Sequence, residues 1–318
     1  MRALITGITG FVGRYLAEHL LAEGWEVWGC SLHAVVADTS HDPPPRVLTA
    51  DLADPDAARE ALLLSRPDVV FHLAAMAAVG ASHQHPWLTL QANVGMQTHV
   101  LEAVRRHLPE CVVVVVGSGD EYGLVRPEDV PLTEAAPLRP NSPYAVSKVA
   151  QDFLGLQYHL AYGVRAVRVR PFNHIGPRQG LGFVAADFAK QLAEAEAGLR
   201  PAVIKVGNLS AERDFTDVRD VVRAYALLAV HGAWGEVYNL ASGRAVAIGN
   251  LLGMMLNECR IPVQVLRDEE RMRPSDTPVF VGDYTRLREA TGWVPRIPLE
   301  RTVDDLFDYW RDQVGKVE

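Results

Sequence analysis

The sequence predicts an α/β fold with a doubly wound parallel sheet and a smaller C-terminal α/β domain. Three observations support the sheet. Residues 3–5 form an apolar run as long as a buried strand, and Gly7, Gly10 and Gly13 follow it at intervals of three. Further apolar runs alternate with helical patterns along the first half of the chain. Residues 111–116 read C-V-V-V-V-V, which is typical of a strand buried on both faces.

The first strand, glycine turn and helix form a unit suited to binding a dinucleotide. Tyr15 and Leu16 continue a helical pattern after the glycines, and Gly24 is placed to end that helix. A helix N-terminus offers unpaired N–H groups and a positive dipole end, and glycines leave the backbone open to a pyrophosphate. The alternative is a plain tight turn, but its position directly after an N-terminal strand favours the dinucleotide. The predicted cofactor contacts in this unit are Gly7, Gly10, Phe11, Val12 and Gly13.

The ends of the next strands give the remaining predicted cofactor contacts. These strands are predicted at residues 26–30, 47–49 and 69–73, and a long helix at residues 86–107. An acid at the end of the second strand normally holds the adenosine ribose of NAD, and this chain has none there. It also lacks the arginine that marks NADP, so we expect NADP(H) or NAD(H), with NADP(H) slightly favoured. The predicted contacts are Ser31, Asp51, Leu52, Leu73, Ala74 and Ala75.

A second unit carries groups suited to acid–base catalysis. Ser118 follows the fifth strand, where the carboxyl ends of a doubly wound sheet border the ligand crevice. Tyr144 and Lys148 are four residues apart on one face of a helix that Asn141 or Ser142 is placed to cap. A free tyrosine has a pKa of about 10, and a nearby ammonium is expected to lower it. A Tyr–Lys pair alone is usually a solvated helix face, but Ser118 and the glycine loop favour catalysis.

Length, charge and cysteine content narrow the class of protein. The 318 residues allow one or two domains, and 48% hydrophobic with 22% charged residues is ordinary for a soluble globular protein. The net charge of −8 argues against nonspecific nucleic-acid binding. Because the apolar runs are short and the chain opens on a strand, we expect no membrane segment, no signal peptide and a cytoplasmic location. Three distant cysteines fit a reducing compartment and predict no metal site.

These motifs in combination resemble the extended short-chain dehydrogenase/reductase family of nucleotide-sugar epimerases, dehydratases and reductases. The resemblance rests on the glycine loop, then Ser118, then Tyr144-x-x-x-Lys148, and it spans nearly the whole chain. It implies a Rossmann fold, an NAD(P) cofactor and a catalytic triad of Ser118, Tyr144 and Lys148. Family members often dimerise through the long helices around strand five, so the resemblance also implies a homodimer.

The second half of the chain narrows the resemblance to the GDP-mannose dehydratase branch of this family. Asn173 matches a residue that touches the diphosphate of the sugar nucleotide, and Arg213 and Arg273 suit the same diphosphate through charge-assisted bonds. Asp276 matches an acceptor for ribose hydroxyls. Asp187 is a candidate acceptor from guanine N–H groups, with a helix-surface residue as the alternative. The resulting candidate substrate contacts are Asn173, Asp187, Lys190, Arg213, Arg273 and Asp276.

Within this branch the sequence most resembles the GDP-6-deoxy-4-keto-hexose reductases. A dehydratase must remove the C5 proton and carries a glutamate where this chain has the shorter Asp120, and Asp187 stands where a dehydratase is expected to have a lysine. The expected reaction is NAD(P)H-dependent reduction of the C4 keto group of a GDP-4-keto-6-deoxy-hexose, with Asp120 a fourth candidate catalytic residue. The alternatives are a GDP-mannose 4,6-dehydratase, a C4 epimerase and a non-enzymatic cofactor-sensing scaffold.

The order of the segments predicts that the chain passes between the two domains more than once. Residues 215–231 are expected to form a helix that returns to the first domain, and residues 236–240 a further strand of it. The cofactor domain is therefore predicted at residues 1–170 plus 215–244. The nucleotide-sugar domain is predicted at residues 171–214 plus 245–318.

Overall fold

The computed structural model describes residues 1–34, 44–269 and 277–316. The strands of these residues, in chain order, are β1 (Arg2–Thr6), β2 (Glu26–Ser31), β3 (Arg46–Thr49), β4 (Val69–His72), β5 (Val112–Val116), β6 (Arg165–Pro171), β7 (Asn173–Ile175), β8 (Val203–Val206), β9 (Glu212–Asp217), β10 (Val237–Leu240), β11 (Ala245–Ala247), β12 (Gln264–Arg267) and β13 (Val279–Phe280). The α-helices are α1 (Phe11–Ala22), α2 (Pro55–Ser65), α3 (Val79–Gln84), α4 (Pro86–His107), α5 (Pro143–Tyr162), α6 (Val184–Glu196), α7 (Val218–His231), α8 (Ile248–Glu258), α9 (Thr285–Thr291) and α10 (Leu299–Gly315).

A seven-stranded parallel sheet lies at the centre, in the order β10-β6-β5-β4-β1-β2-β3. The chain starts in the middle of this sheet and winds outward in both directions, which confirms the predicted doubly wound α/β fold. Strands β7, β9, β11 and β13 form a second sheet, and β8 pairs with β12.

Both faces of the central sheet are buried, as the continuous apolar runs predicted. On β1, Ala3 and Ile5 face the core that α1 and α7 cover, whereas Leu4 faces the core that α2, α4 and α5 cover. The same alternation along β5 sends Val114 to the first core and Val113 to the second. Because successive strand residues point to opposite faces, a strand with helices on both sides must be apolar throughout.

A separate core lies among α6, α8 and α10, in the later part of the chain. It includes Leu192, Leu252 and Phe307, and it borders the strands around β9. The chain thus contains hydrophobic cores on both faces of the central sheet and another beside the smaller sheets. The predicted domain boundaries remain a prediction.

One strand was not predicted, and the start of one helix was predicted wrongly. Residues 165–171 form β6 of the central sheet, which the sequence analysis did not predict. Residues 215–217 end β9 and pair with β7, so the predicted helix begins three residues later, at Val218. Asp217 caps that helix, because its carboxylate accepts a hydrogen bond from the Arg219 amide at 2.7 Å. The strand at 237–240 joins the central sheet as predicted.

No helix in the described ranges is long and apolar enough to span a membrane. In the same ranges no group of three or more His, Cys, Asp or Glu residues is arranged to hold a metal ion.

Candidate active site

The glycine loop brings the backbone of β1 and α1 close together. Gly7 has φ of 70°, and a Cβ there would lie 3.1 Å from the Ala74 amide nitrogen. A Cβ on Gly13 would lie 2.8 Å from the Cα of Ile8, closer than real Cβ atoms approach. Gly10 begins α1, and among the described residues no side chain caps this N-terminus and no acid lies in its first turn. The open N–H groups and unopposed dipole therefore fit the pyrophosphate of NAD(P).

The wall beside the glycine loop is held by Thr6. Its hydroxyl oxygen accepts hydrogen bonds from the Leu73 and Ala74 amides, both at 3.1 Å. The predicted cofactor contacts of residues 73–75 therefore lie next to Gly7 as half-buried backbone.

The predicted contacts on the adenosine side differ in exposure. The Ser31 hydroxyl is buried and lies 3.4 Å from the Thr9 hydroxyl. Asp51 is exposed. The Leu52 side chain is buried in the core between the sheet and α2, and its carbonyl accepts from His99 Nδ1 at 2.9 Å. Of the two adjacent residues, Asp51 is therefore the one whose side chain is open to a ligand.

Ser118 and Tyr144 are brought into hydrogen-bond contact at the other side of the crevice. Ser118 begins the short 3₁₀ helix Gly119–Tyr122, and its hydroxyl accepts from the Asp120 amide at 3.1 Å. The Ser118 side chain also hydrogen-bonds Tyr144. Tyr144 lies in the first turn of α5, where Ser142 rather than Asn141 is the cap, accepting from the Ala145 amide at 3.1 Å.

The pKa of Tyr144 shifts upward, whereas the sequence analysis expected the nearby Lys148 ammonium to lower it. Burial raises the pKa of the Tyr144 hydroxyl, the Asp120 carboxylate raises it further, and the Ser118 hydrogen bond opposes both. The Lys148 Nζ lies 5.9 Å from the centre of the Tyr144 ring and donates to the Val116 carbonyl at 2.8 Å. Burial lowers the pKa of Lys148 to about 8. Tyr144 is therefore held protonated at neutral pH.

Beneath Ser118 lies a buried group of charged side chains that the sequence analysis missed. Glu121 Oε1 accepts from the Ser118 amide at 2.8 Å, and Glu121 Oε2 lies 3.1 Å from Arg170 Nε. Asp152 Oδ1 accepts from Arg168 Nη1 at 2.7 Å, and Asp152 Oδ2 accepts from Arg170 Nε at 2.9 Å. These contacts connect the Ser118 loop to β6 and to α5, which carries Tyr144 and Lys148.

A sequence signal for this group exists in β6. Arg168 and Arg170 are two residues apart in an otherwise apolar segment, so a strand places both on one face. Asp152 lies four residues after Lys148 on the helix before that strand. Charges in a buried strand require partners of opposite charge, and an acid on the preceding helix is the nearest one along the chain.

The predicted substrate contacts lie on several elements. Asn173 is exposed on β7. Asp187, in the first turn of α6, accepts from the Gly182 amide at 2.9 Å, and Lys190 forms an ion pair with Glu194. Arg213, on β9, donates to the Thr277 carbonyl at 2.8 Å. Arg273 and Asp276, also predicted as substrate contacts, lie outside the described residues.

The acids around Arg213 have structural partners. The Asp214 carboxylate is buried and accepts from the Ser242 amide at 2.7 Å and from the Gly243 amide at 2.9 Å. The Asp220 carboxylate accepts from the Arg296 amide at 2.7 Å. These two acids therefore hold loops of the fold in place.

The segment after β7 packs directly on the helix of the glycine loop. The His174 ring stacks on Phe11 with 6.2 Å between ring centres, and the Tyr15 hydroxyl donates to the Pro177 carbonyl at 3.1 Å. Arg178 forms a bidentate ion pair with Glu18, with N–O distances of 2.5 and 2.9 Å. This contact joins the predicted substrate side of the crevice to the predicted cofactor side.

Comparison with known proteins identifies the family. A family model for GDP-mannose 4,6 dehydratase matches residues 4–306. The chain belongs to this family. GDP-6-deoxy-D-mannose reductase from Pseudomonas aeruginosa is 34% identical over 313 residues, which cover 98% of each chain. GDP-mannose 4,6 dehydratase 2 from Arabidopsis thaliana is 31% identical over 324 residues, covering 96% of this chain and 86% of the plant protein.

Solved structures agree with this assignment to the family. The structure of RMD from Pseudomonas aeruginosa complexed with NADPH matches with a TM-score of 0.86 and 33% identity, covering 98% of this chain and 99% of that one. The resemblance predicted from the glycine loop and the Ser118, Tyr144 and Lys148 motif is confirmed at the level of the GDP-mannose 4,6-dehydratase family.

Proposed function

We propose that the protein is an NADPH-dependent reductase of the C4 keto group of a GDP-4-keto-6-deoxy-hexose. One observation carries the proposal: Tyr144, in the first turn of α5, lies beside Ser118 and Lys148 at the carboxyl edge of the central sheet. A protonated phenol facing a crevice is an acid ready to donate to a carbonyl oxygen. Similarity to a GDP-6-deoxy-D-mannose reductase and to an NADPH complex supports the choice of substrate and cofactor.

In the proposed reaction the chain binds, orients and supplies a proton. The backbone of residues 7–13 holds the cofactor pyrophosphate, and Lys148 holds the nicotinamide ribose with the N–H groups that Val116 does not use. NADPH, when bound, supplies the hydride to C4. Ser118 orients the C4 oxygen, and the Tyr144 hydroxyl donates its proton to that oxygen as negative charge develops there.

The environment of Tyr144 suits reduction, the reaction in which its hydroxyl donates a proton. A 4,6-dehydratase and a C4 epimerase both begin by oxidising C4, so each first needs a tyrosinate that accepts the hydroxyl proton. The Asp120 carboxylate opposes that form because its charge raises the pKa of Tyr144. In a reductase Asp120 therefore keeps Tyr144 protonated and takes no part in the removal of a proton from C5.

The proposed function is tested with purified protein and a GDP-4-keto-6-deoxy-mannose substrate. NADPH and NADH are supplied in separate cuvettes, and cofactor absorbance is followed. We expect stoichiometric loss of NADPH with formation of a GDP-6-deoxyhexose. Conversion of GDP-mannose to a 4-keto sugar without added cofactor would instead make the protein a dehydratase. Tight NADPH binding with no turnover on either sugar would favour the sensing scaffold.

Tyr144→Phe removes the proposed proton donor while keeping the ring. We expect kcat to fall by about 10²–10⁴-fold, with the Kd for NADPH changed little, because the hydroxyl acts on the substrate oxygen. Tyr162→Phe is the matched control, since Tyr162 is exposed at the other end of α5. Full activity of Tyr144→Phe in steady-state kinetics would contradict the role given to Tyr144.

The proposed GDP contacts are Asn173, Asp187, Lys190 and Arg213. We propose that Arg213 and Asn173 make the main contacts to the diphosphate, because a guanidinium forms charge-assisted bonds to phosphate oxygens and Asn173 is exposed on β7. Arg213→Ala is expected to raise KM for the sugar nucleotide by about tenfold, the loss of one charge-assisted bond, with kcat changed less. An unchanged KM would remove Arg213 from the site.

We also propose that the protein is a homodimer that pairs through α5. Val146, Phe153 and Leu160 are exposed and seven residues apart, so they form one apolar stripe along the helix. The double variant Phe153→Glu, Leu160→Glu is expected to sediment as a monomer. Leu64→Glu, which changes an exposed leucine on α2, is expected to remain dimeric. A monomeric wild type would overturn the proposal.

We further propose a cytoplasmic enzyme that does not bind nucleic acid, in line with the net charge of −8. The proposed division into residues 1–170 plus 215–244 and residues 171–214 plus 245–318 is tested by hydrogen exchange. We expect the slowest amides of the two domains to exchange with different free energies of opening. The same free energy of opening in both domains would contradict the division.

A further inference from the structure

Two carboxyl groups lie together beneath Ser118 in a region closed to solvent. Glu121 is 0% exposed and Asp152 is 1% exposed. Glu121 Oε1 accepts from the Ser118 amide at 2.8 Å, whereas no donor among the described residues is aligned with Glu121 Oε2. A buried carboxylate oxygen without a donor is costly, so this atom requires an explanation.

The arginines beside the pair direct their N–H groups to Asp152. Arg168 Nη1 donates to Asp152 Oδ1 at 2.7 Å, and Arg170 donates to Asp152 Oδ2 through Nε at 2.9 Å and through Nη2 at 2.5 Å. The remaining Arg170 Nη1 donates to the Tyr122 hydroxyl at 3.1 Å. Asp152 is therefore the anion of the pair, because two guanidinium groups bind both of its oxygens.

Protonation of Glu121 gives its Oε2 atom a hydrogen-bond partner. Glu121 lies within hydrogen-bond contact of Asp152, and its Oε2 lies 3.1 Å from the same Arg170 Nε that donates to Asp152. A protonated Oε2 becomes a donor to the Asp152 carboxylate, while Oε1 remains an acceptor for the Ser118 amide. Both oxygens of Glu121 and both oxygens of Asp152 are then satisfied.

We propose that Glu121 is a positioning residue that works as a buried neutral acid, donating to Asp152 and accepting from the Ser118 amide. In this way it fixes the Ser118 loop relative to α5, so that the Ser118 hydroxyl keeps its contact with Tyr144. The proposal rests on the proposed function in one respect, namely that Ser118 and Tyr144 act on the substrate.

Two further observations agree with a neutral Glu121. Burial raises the pKa of Glu121 well above its usual value, and the charge of Asp152 raises it further, against the opposing charge of Arg170. Gly117 allows the close approach, since a Cβ at that position would overlap Glu121 Oε1. The charged and titratable groups that face the pair are Asp120 and Tyr122 on its own helix, Tyr144 and Lys148 on α5, and Arg168 and Arg170 on β6.

Conservative and disruptive variants test the proposal through kinetics. Glu121→Gln keeps an acceptor for Ser118 and supplies an N–H donor for Asp152, so kcat is expected to stay within about threefold of wild type with an unchanged pH profile. Glu121→Leu removes both contacts, and kcat is expected to fall by about 10–100-fold with little change in the Kd for NADPH. Glu134→Gln is the matched control, because Glu134 accepts from the Asn239 amide in the same region and does not touch Ser118.

The kinetic outcomes separate the neutral acid from its alternatives. Equal losses in Glu121→Gln and Glu121→Leu would show that the negative charge is needed and would overturn the proposal. Full kcat in Glu121→Leu would show that Glu121 does not position Ser118. Thermal unfolding of each variant distinguishes a misfolded protein from a folded protein with low kcat.

Infrared difference spectroscopy tests the proton without any substrate. At pH 7 the wild-type minus Glu121→Gln spectrum is expected to contain the C=O stretch of a protonated carboxylic acid, and the wild-type minus Glu134→Gln spectrum is not. Absence of that band in the first spectrum overturns the neutral acid even if the protein is a reductase. Presence of the band together with no turnover on any 4-keto sugar would overturn the proposed function and leave the neutral acid standing.

Discussion

The glycine loop after β1 and the Ser118 loop after β5 lie at the same edge of one sheet, but they are held in place differently. The glycine loop is fixed by backbone contacts that tolerate no added Cβ at Gly13, and by the amide of Gly7, which donates to the Cys30 carbonyl at 3.0 Å. The Ser118 loop is fixed by Glu121 and the buried charges of Asp152 and Arg170.

This difference predicts different sensitivities. Steric contacts between backbone atoms do not depend on pH and fail when volume is added. Buried charges tolerate no loss of one partner, because the remaining charge is left without compensation, and they titrate with pH. The cofactor side of the crevice should therefore respond to changes in side-chain size, and the catalytic side to changes in charge.

Arg170→Met should have the largest effect. It removes one of the two guanidinium groups that bind Asp152, while Asp152 and Glu121 remain buried. The free energy of unfolding is therefore expected to fall by about 3–5 kcal/mol. Urea denaturation followed by circular dichroism measures this. Arg165→Met is the control on the same strand: its ion pair with the exposed Glu110 should contribute about 0–1 kcal/mol. Equal losses in both variants would remove the distinction between the two loops.

Gly13→Ala should have a smaller effect, confined to the glycine loop. The added Cβ overlaps the backbone of Ile8, so we expect a loss of about 1–3 kcal/mol in unfolding free energy and weaker NADPH binding in a fluorescence titration. Gly253→Ala on α8 is the control, because nothing lies within 4 Å of its Cβ position. A helical Gly→Ala change there should stabilise the protein by about 0.5–1 kcal/mol. Wild-type NADPH affinity in Gly13→Ala would contradict the steric account.

The smallest expected effect is a pH dependence of kcat that arises on the Ser118 side of the crevice. Lys148, with a pKa of about 8, is an ammonium below that pH and a neutral amine above it. Above pH 8, kcat is expected to fall by about tenfold per pH unit, the slope for loss of one proton. ADP, which engages the pyrophosphate side alone, should bind equally well at pH 7 and pH 9. A kcat that stays constant to pH 10 would contradict the lowered pKa.

The sequence was sufficient for the parts of the molecule that obey a simple periodicity. The strand of Val112–Val116 and the helix of Pro86–His107 agree with their predicted positions to within a residue, because each carries a continuous apolar pattern. The same reasoning missed β6, since Arg168 and Arg170 interrupt its apolar run and their partner Asp152 lies on another element.

The candidate site was predictable in its motif and less so in its electrostatics. The spacing of Tyr144 and Lys148 places both on one helix face, and Ser118 follows a strand that the pattern identifies. The direction of the Tyr144 pKa shift was predicted wrongly, because burial depends on how distant segments pack around the hydroxyl. Glu121 was not singled out, since an acid in a loop is normally solvated and only the fold buries it.

The contact between α1 and residues 174–178 limits how the two sides of the crevice can move. His174, Tyr15 and Arg178 fasten the chain after β7 to the helix that carries the glycine loop. A rotation that widens the crevice must either break this contact or turn about it as a pivot. If the contact persists, α1 and this segment keep a constant separation throughout the opening, and displacement grows with distance from them.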